Sequence, residues 1–359
     1  MGYPGLKPVK NKAGLPLYVS VKDAMLDAIR AGHFQPGQRL PSTKELSETL
    51  SVSLVTTHRA MQELEARGVV DRVQGRGTFI KDQSDRTGRR TRLGLLLQPE
   101  ASLADFYHGQ LLEGMHHAAR EEGSDLLILQ YEQKLRTDCQ GFLLINPLPE
   151  AVDAFRREYP ADTPMLVVGA NYPGVPAVDV DNINLIRTGL THLHRMGHTR
   201  VGYVGGAGEL SNSRDRQASF TDTCRDLGLQ PQHCRRLEAQ SWRLSGDEKM
   251  SLGQLLTGAD RPTALIAGGY YLALDIYHVA GTLGLTIPDD LAVVGIDDPP
   301  SAAHLYPPLT TFRQPLAELG YAAIRRIVTL VFGGTVERDC QQLIGELIIR
   351  GSSGAPQRK

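Results

Sequence analysis

The stretch spanning residues 40–80, LPSTKELSETLSVSLVTTHRAMQELEARGVVDRVQGRGTFI, constrains the fold of this 359-residue chain more than any other. Pro41-Ser42 opens a helix, and Ser42 with Glu45 has the S-x-x-E spacing of a capping box. Residues 43–50 fit one compact helix, a tight turn follows at residues 50–52, and a longer helix is predicted from Ser53 to about Arg67. On the longer helix Thr57, Ala60, Met61 and Leu64 fall at i, i+3, i+4 and i+7, so they share the face that packs inward. Ser53, Thr56 and Arg59 line another face with small and basic polar groups. Gly68 is expected to stop the helix, since glycine adopts φ > 0 readily. Residues 69–73 and 78–80 are β-prone runs joined by Gln74-Gly75-Arg76-Gly77, which predicts a hairpin. A helix offering short polar side chains, followed by a basic hairpin tip, suits a helix in the major groove and a wing on the backbone.

The string PGQRLPSTKELSETLSVSLVTTHRAMQELEARGVVDRVQGRGTFI resembles the winged-helix head of GntR-type bacterial transcription regulators, over about residues 15–81. The features that carry the resemblance are PG-x-x-LPS, A-[ML]-x-x-L-x-x-x-G and QG-x-GTF. In that family the start of the recognition helix and the wing tip touch DNA. The resemblance therefore implies phosphate contacts by Ser42 and Lys44 and recognition-helix contacts by Ser53, Thr56, His58 and Arg59. It implies wing contacts by Gly75, Arg76 and Gly77. Leu54 departs from the pattern, standing where the family usually has a basic residue.

Charge distribution agrees with such a head. Net charge is −1, yet residues 1–92 hold 16 Lys and Arg against 9 Asp and Glu, while the rest holds 23 against 31. A basic end on an acidic body fits a protein that presents one end to a polyanion. The 41% hydrophobic and 22% charged content are those of an ordinary globular protein. Cys139, Cys224, Cys234 and Cys340 show no close pairing, which argues against a zinc module or a disulfide scaffold. The first sixteen residues, with Lys7, Lys10 and Lys12, lack the apolar core of a signal peptide and read as a flexible arm. No apolar run is long enough to span a membrane, so a cytoplasmic location is expected.

A helix is expected over residues 17–32, with Val21, Ala24, Met25, Ala28 and Ile29 in helical period. Residues 82–92, rich in arginine and without an apolar side chain, read as an interdomain linker. After them short apolar strands alternate with amphipathic helices. Strands are predicted at residues 93–97, 126–129, 141–145, 165–169, 201–204, 264–267 and 291–295. Helices are predicted at 110–122, 185–196, 215–227 and 272–283. This α/β alternation builds parallel sheets with helices on both faces, whose ligand sites lie at the carboxyl ends of the strands.

The segments VDVDNINLIRTGLTHLHRMGHTRVGYVGG, RQASF, TIPDDLAVVGIDD, PPLTTFRQPLAELG and ELIIRGSSG resemble the effector domain of LacI/GalR-type repressors. That domain is similar to periplasmic sugar-binding proteins, and the resemblance covers about residues 91–353. It implies two α/β lobes joined by three crossovers, expected near residues 170–176, 311–315 and 333–335. The domain expectations are thus an arm (1–16), a winged helix-turn-helix (17–81), a linker (82–92), a two-lobed effector domain (93–353) and a tail (354–359). A GntR-type head on such a body is also the arrangement of arabinose-type sugar repressors. Two departures stand out. Only nine residues separate Tyr131 from Gly141, where a parallel crossover usually needs a dozen or more. Gly269 and Tyr270 occupy positions where the family commonly has Asn-Asp.

Polyol recognition needs forked donors, carboxylate acceptors and flat apolar surfaces. The resemblance points to Arg216, whose planar guanidinium can bridge two hydroxyls, to Asp297 as a carboxylate, and to Trp242 as a stacking surface. Phe106 and Tyr107 follow the first strand toward the same cleft, and Tyr270 adds an aromatic ring. The alternatives are an ion-paired Arg216, a capping Asp297 and a core Trp242. His192, His194 and His198 invite a metal reading, but no Cys or carboxylate completes a ligand set. No G-x-S-x-G elbow, P-loop or cofactor lysine motif is present, so neither an enzyme nor a cofactor is expected. The expected function is a ligand-responsive transcription regulator, a repressor acting as a homodimer on double-stranded operator DNA and controlled by a small molecule, a saccharide. A transport-type sugar-binding protein is the alternative.

Overall fold

The structure, a computed structural model, describes residues 3, 5–9, 17–30, 32–35, 37–66, 69–73, 76–80, 90–98, 101–131, 138–206, 208–336 and 340–354. The chain divides into two compact units, Met1–Arg90 and Thr91–Lys359. Gly68, Gln74, Gly75, Lys10, Lys12 and residues 82–89 and 355–359 lie outside the described residues, and with them parts of the expected arm, linker, wing and tail.

The first unit contains helices α1 (Leu17–Arg30), α2 (Thr43–Leu50) and α3 (Leu54–Ala66), then strands β1 (Val70–Val73) and β2 (Gly77–Ile80). The capping box forms: Ser42 N–H donates to Glu45 Oε2 at 2.7 Å, and Glu45 N–H donates to Ser42 Oγ at 3.3 Å. Those bonds, from the Ser42 N–H above all, hold the Glu45 carboxyl below its ordinary range. Ser51 closes α2 in the left-handed region at φ 55°. Ser53 caps α3 instead of opening it, its Oγ accepting from Thr56 N–H at 3.1 Å. Thr57, Ala60, Met61 and Leu64 are all buried, against Val21, Met25, Leu46, Leu50, Val70 and Ile80. Burying each large apolar side chain there contributes about 1.5–3 kcal/mol. β1 and β2 pair antiparallel, Val70 opposite Ile80 and Val73 opposite Gly77.

The expectation of a flexible arm over residues 1–16 is corrected for part of its length. Leu6 is buried in the core of the head, and Val9 N–H donates to Leu50 O at 2.9 Å, at the end of α2. The sequence hid this because Leu6 and Val9 stand among prolines, glycines and lysines without any period.

The second unit holds two six-stranded sheets. The first lobe orders its strands β13-β7-β6-β5-β3-β4, all parallel. These are β3 (Thr91–Leu97), β4 (Ser124–Gln130), β5 (Gly141–Ile145), β6 (Met165–Val168), β7 (Ala177–Val180) and β13 (Cys340–Leu343). The second lobe comprises β8 (Val201–Gly205), β9 (Cys234–Glu238), β10 (Ala264–Ala267), β11 (Ala292–Ile296), β12 (Thr310–Arg313) and β14 (Glu346–Ile348). Its order is β14-β12-β11-β10-β8-β9, and only β14 runs antiparallel to its neighbour. The helices are α4 (Phe106–Glu121), α5 (Pro149–Glu158), α6 (Asn182–Arg195), α7 (Ser211–Asp226), α8 (Gly246–Thr257), α9 (Tyr270–Thr282) and α10 (Leu316–Val331). α4 and α10 cross with no room for a side chain between their backbones. A Cβ on Gly114 would lie 1.8 Å from Ala317 O, and one on Gly320 2.1 Å from Leu111 O.

Three crossovers join the lobes, but two are not where the sequence suggested. Residues 170–176 connect β6 to β7, which pair with each other in the first lobe. The first passage is at Asp181, between β7 and α6, and α6 packs on α7 of the second lobe. The passage expected near residues 311–315 falls at Gln314-Pro315, between β12 and α10. Residues 333–335 precede β13 within the first lobe, and the third passage is at Ile344-Gly345, between β13 and β14. β13 is a polar edge strand, CQQL, so its sequence did not announce the last strand of the first sheet. The short segment between β4 and β5 spans β3, which pairs with both, and its residues 132–137 are outside the described set.

Candidate functional site

In the head, the residues assigned to DNA by resemblance fall into small contact sets. Ser53 and Thr56 join hydroxyl to hydroxyl at 2.7 Å at the start of α3. His58 Nε2 lies 3.4 Å from Arg72 NH1, tying α3 to the first wing strand. The Arg59 guanidinium stacks over the Tyr18 ring at 4.3 Å, so it is partly held by α1 rather than presented freely. Ser42 and Lys44 are exposed at the start of α2, where backbone N–H groups favour an anion. Arg76 is exposed in the wing turn and Gly77 takes φ 115°, while Gly75 lies outside the described residues. Leu54 and Val55 are exposed beside Thr56 and give the start of α3 an apolar edge.

The second site is built where strand ends of the two lobes meet. Arg216 extends from α7 and is only 5% exposed. Its Nε donates to Asn182 Oδ1 at 2.7 Å and its NH1 to Gly268 O, beyond β10, at 2.8 Å. Its guanidinium carbon lies 5.8 Å from the centre of the Trp242 ring. Trp242 is half-buried, and its ring edge fills the space a Cβ on Gly206 or Gly269 would take. Large side chains at those two turns would expel the indole. Asp297 follows β11 in the left-handed region at φ 70°, a conformation that costs a non-glycine residue energy and is common at ligand sites. Gln314 Nε2 donates to its carboxylate, and Thr311 Oγ1 donates to its carbonyl at 2.7 Å. Burial pushes the Asp297 carboxyl up, against the charge of Arg216, the Gln314 bond and the Tyr270 N–H.

From the first lobe, Tyr107 points its hydroxyl at Asn146 Oδ1, 3.4 Å away, and both lie against Gly169. Burial raises the Tyr107 phenol, and the nearby charges of Asp179 and Asp297 add to that, so it stays a neutral donor. Phe106 does not join this cluster. It lines a groove of about 840 Å³ with Asp298, Gln314, Pro315 and Ile344, at the second and third crossovers. Tyr270 contributes through its backbone N–H, while its hydroxyl donates to Ser301 Oγ at 2.7 Å. The lobes are also bonded directly: Asn212 Nδ2 donates to Gly169 O at 3.0 Å, and Asn171 N–H to Ser211 Oγ at 2.9 Å.

Several members of the site carried no weight in the sequence. Asn146, Asn182, Asn212 and Gln314 are ordinary polar residues at the ends of elements until the fold gathers them. Asp179 did leave a signal: it is the one charged residue inside the strand AVDV, and it is 4% exposed. Burial raises its carboxyl to about 7, against the Val180 N–H and Arg216. The histidines have structural partners. His198 Nε2 bonds Gly354 O at 2.8 Å and Nδ1 bonds Thr263 Oγ1 at 2.9 Å, and His192 bonds Ser353 Oγ at 2.9 Å. They pin the C-terminal segment to the second lobe.

Two family descriptions match the chain: "Bacterial regulatory proteins, gntR family" over residues 17–80, and "Periplasmic binding protein-like domain" over residues 190–353. The chain joins a GntR-family DNA-binding head to a periplasmic-binding-protein-like body. It is a transcription regulator. The arabinose metabolism transcriptional repressor of Geobacillus stearothermophilus is 25% identical over 94% of this chain and 95% of its own length. The repressor CytR of Escherichia coli K12 is 25% identical over 87% of this chain and 96% of its own. The body matches the lac repressor dimer bound to operator and the anti-inducer ONPF at a TM-score of 0.65 and 21% identity, over 76% of this chain and 97% of that one. CcpA of Lactococcus lactis matches at 0.63 and 18%, over 74% and 99%. These relatives are regulators, not enzymes, and no helix among the regulator's described residues is long and apolar enough to cross a membrane.

Proposed function

We propose that the regulator is a cytoplasmic repressor that binds an operator as a homodimer and is controlled by a neutral saccharide held between its lobes. The observation that supports this reading is the convergence of Arg216, Asp297, Trp242 and Tyr107 at strand ends of both lobes. A fork of donors, a carboxylate acceptor, a phenol and an indole face suit hydroxyl groups on an apolar ring better than an anion or an aromatic base. The paired charges around Arg216 leave no surplus positive charge to recruit a phosphorylated ligand. Phe106, which lines the crossover groove, is not part of this proposed contact set. The DNA contacts proposed are Ser42, Lys44, Ser53, Thr56, His58, Arg59, Arg76 and Gly77, with Gly75 at the wing tip.

An operator mobility shift with and without a panel of mono- and disaccharides tests the reading. At least one sugar should change both operator affinity and the emission of Trp242, the only tryptophan. Arg216→Ala and Asp297→Ala should keep operator binding within about threefold of wild type while losing the sugar response, because the two sites lie on different units. If both variants respond at unchanged sugar concentration, the effector assignment is wrong.

A further inference from the structure

We propose that Asp179 is a positioning residue of the interlobe site, which acts through Asn182 to set the direction of the Arg216 guanidinium and makes that direction respond to a proton. This rests on the reading of the site as the effector site, but its test needs no effector.

The connection is a continuous series of hydrogen bonds. One carboxylate oxygen of Asp179 accepts from Val180 N–H at 2.7 Å, and the other accepts from Asn182 Nδ2 at 3.1 Å. The same Asn182 amide donates to Val180 O at 3.0 Å. With both donors of its amide used on the β7 side, Asn182 turns its Oδ1 toward Arg216 Nε, at 2.7 Å. Arg216 then reaches Gly268 O. The series leaves the first lobe at β7, crosses at the Asp181 passage and ends at the turn after β10, beside Trp242. Asp179 and Asn182 are 4% and 2% exposed, so water is a poor substitute for either partner.

Asp179 has neighbours on every element packed against it. Arg216 and Asp215 face it from α7, Tyr107 from α4, Cys340 from β13 and Asn182 from the start of α6. Arg216 favours its charged form and Asp215 opposes it, but removal from water is the larger influence and raises the carboxyl to about 7. A proton on the oxygen that faces Asn182 turns an acceptor into a donor. The Asn182 amide can meet that donor only with its Oδ1, which withdraws Oδ1 from Arg216 and swings Nδ2 toward the Nε–H. Two donors then face each other, and the guanidinium has to turn away.

Trp242 reports on this without a ligand, since the Arg216 guanidinium lies 5.8 Å from its ring. The emission of the full-length protein is followed from about pH 5.5 to about 8.5, bracketing the Asp179 value of about 7. The wild type should show one sigmoidal change with its midpoint near 7. Asp179→Asn, whose amide mimics the protonated carboxyl, should hold the low-pH emission across the whole range. Asn182→Ala leaves Asp179 free to titrate but severs the series, so the change should vanish there too. A wild type without a transition, or a transition that survives in either variant, overturns the proposal. If Asp179→Asn does not fold, Asn182→Ala decides alone. A failed saccharide titration with the pH transition intact would remove the effector assignment and leave the relay standing.

Discussion

At the residue scale, the interlobe site departs most from what folding alone would choose. Asp179 is a carboxyl in a strand whose other members are apolar, and Asp297 is a left-handed residue without glycine's freedom. Each costs stability, and only the polar network around Arg216 offsets it. For Asp179 the cost depends on pH in a defined direction. Its folded pKa of about 7 lies above the ordinary carboxyl value, so the native state holds the proton more tightly than the unfolded chain. Its contribution is therefore most favourable below about pH 4 and is lost as pH rises through 7. Asp179→Asn lacks that loss. Its stability relative to wild type should improve by about 2–3 kcal/mol between pH 5 and pH 8, on top of any pH-independent offset. Urea unfolding of both proteins at the two pH values measures the difference. No change in the offset would mean that the carboxyl does not titrate there.

Elements are legible where period and punctuation agree, and their contacts are not. The span of α2 is the one read from its capping box, and β5 and β10 are the apolar runs read as strands. The polar strands β9 and β13 were missed because partly exposed edge strands need not be apolar. The crossing of α4 and α10 was invisible, since nothing in the sequence marks two glycines as facing each other's backbones. That crossing predicts a contrast. Gly114→Ala forces the helices apart, because its Cβ would sit 1.8 Å from Ala317 O, and should lower stability by several kcal/mol. Gly281→Ala, at an exposed position of α9 with no atom within 4 Å of its Cβ, should raise stability by roughly 0.5–1 kcal/mol. Thermal melts of the two variants give the comparison, and equal effects would contradict the packing described for α4 and α10.

At the scale of the molecule, a basic head joined to an acidic body sets how the regulator meets DNA. Each head brings several Lys and Arg to phosphates, so affinity should fall steeply with salt, and the footprint of a dimer should have two-fold symmetry. Arg76→Ala removes an exposed wing cation and should reduce the slope of log affinity against log salt by about 0.9 for one lost phosphate contact. It should do so on operator and on unrelated duplex alike. Anisotropy titrations of labelled duplexes at three salt concentrations measure the slope. A slope equal to that of wild type would take Arg76 out of the interface.

The sequence by itself determined what is local: the capping box of α2, the inward face of α3, the alternation of strand and helix, and the motifs that carry both family resemblances. Each of these is written in residues a few positions apart, where backbone preference and hydrophobic period act directly. Only the tertiary structure decided where the chain passes between the lobes, because pairing of β6 with β7 and of β13 with β7 depends on strands far apart in sequence. It also decided which polar residues form the site. Phe106 and Tyr107 are adjacent, yet the helix turns one toward the crossover groove and the other toward Asn146. Asp179, Asn182 and Arg216 gain their relation from a strand end, a crossover and a helix brought together, and a buried carboxyl acquires its pKa only once that burial exists.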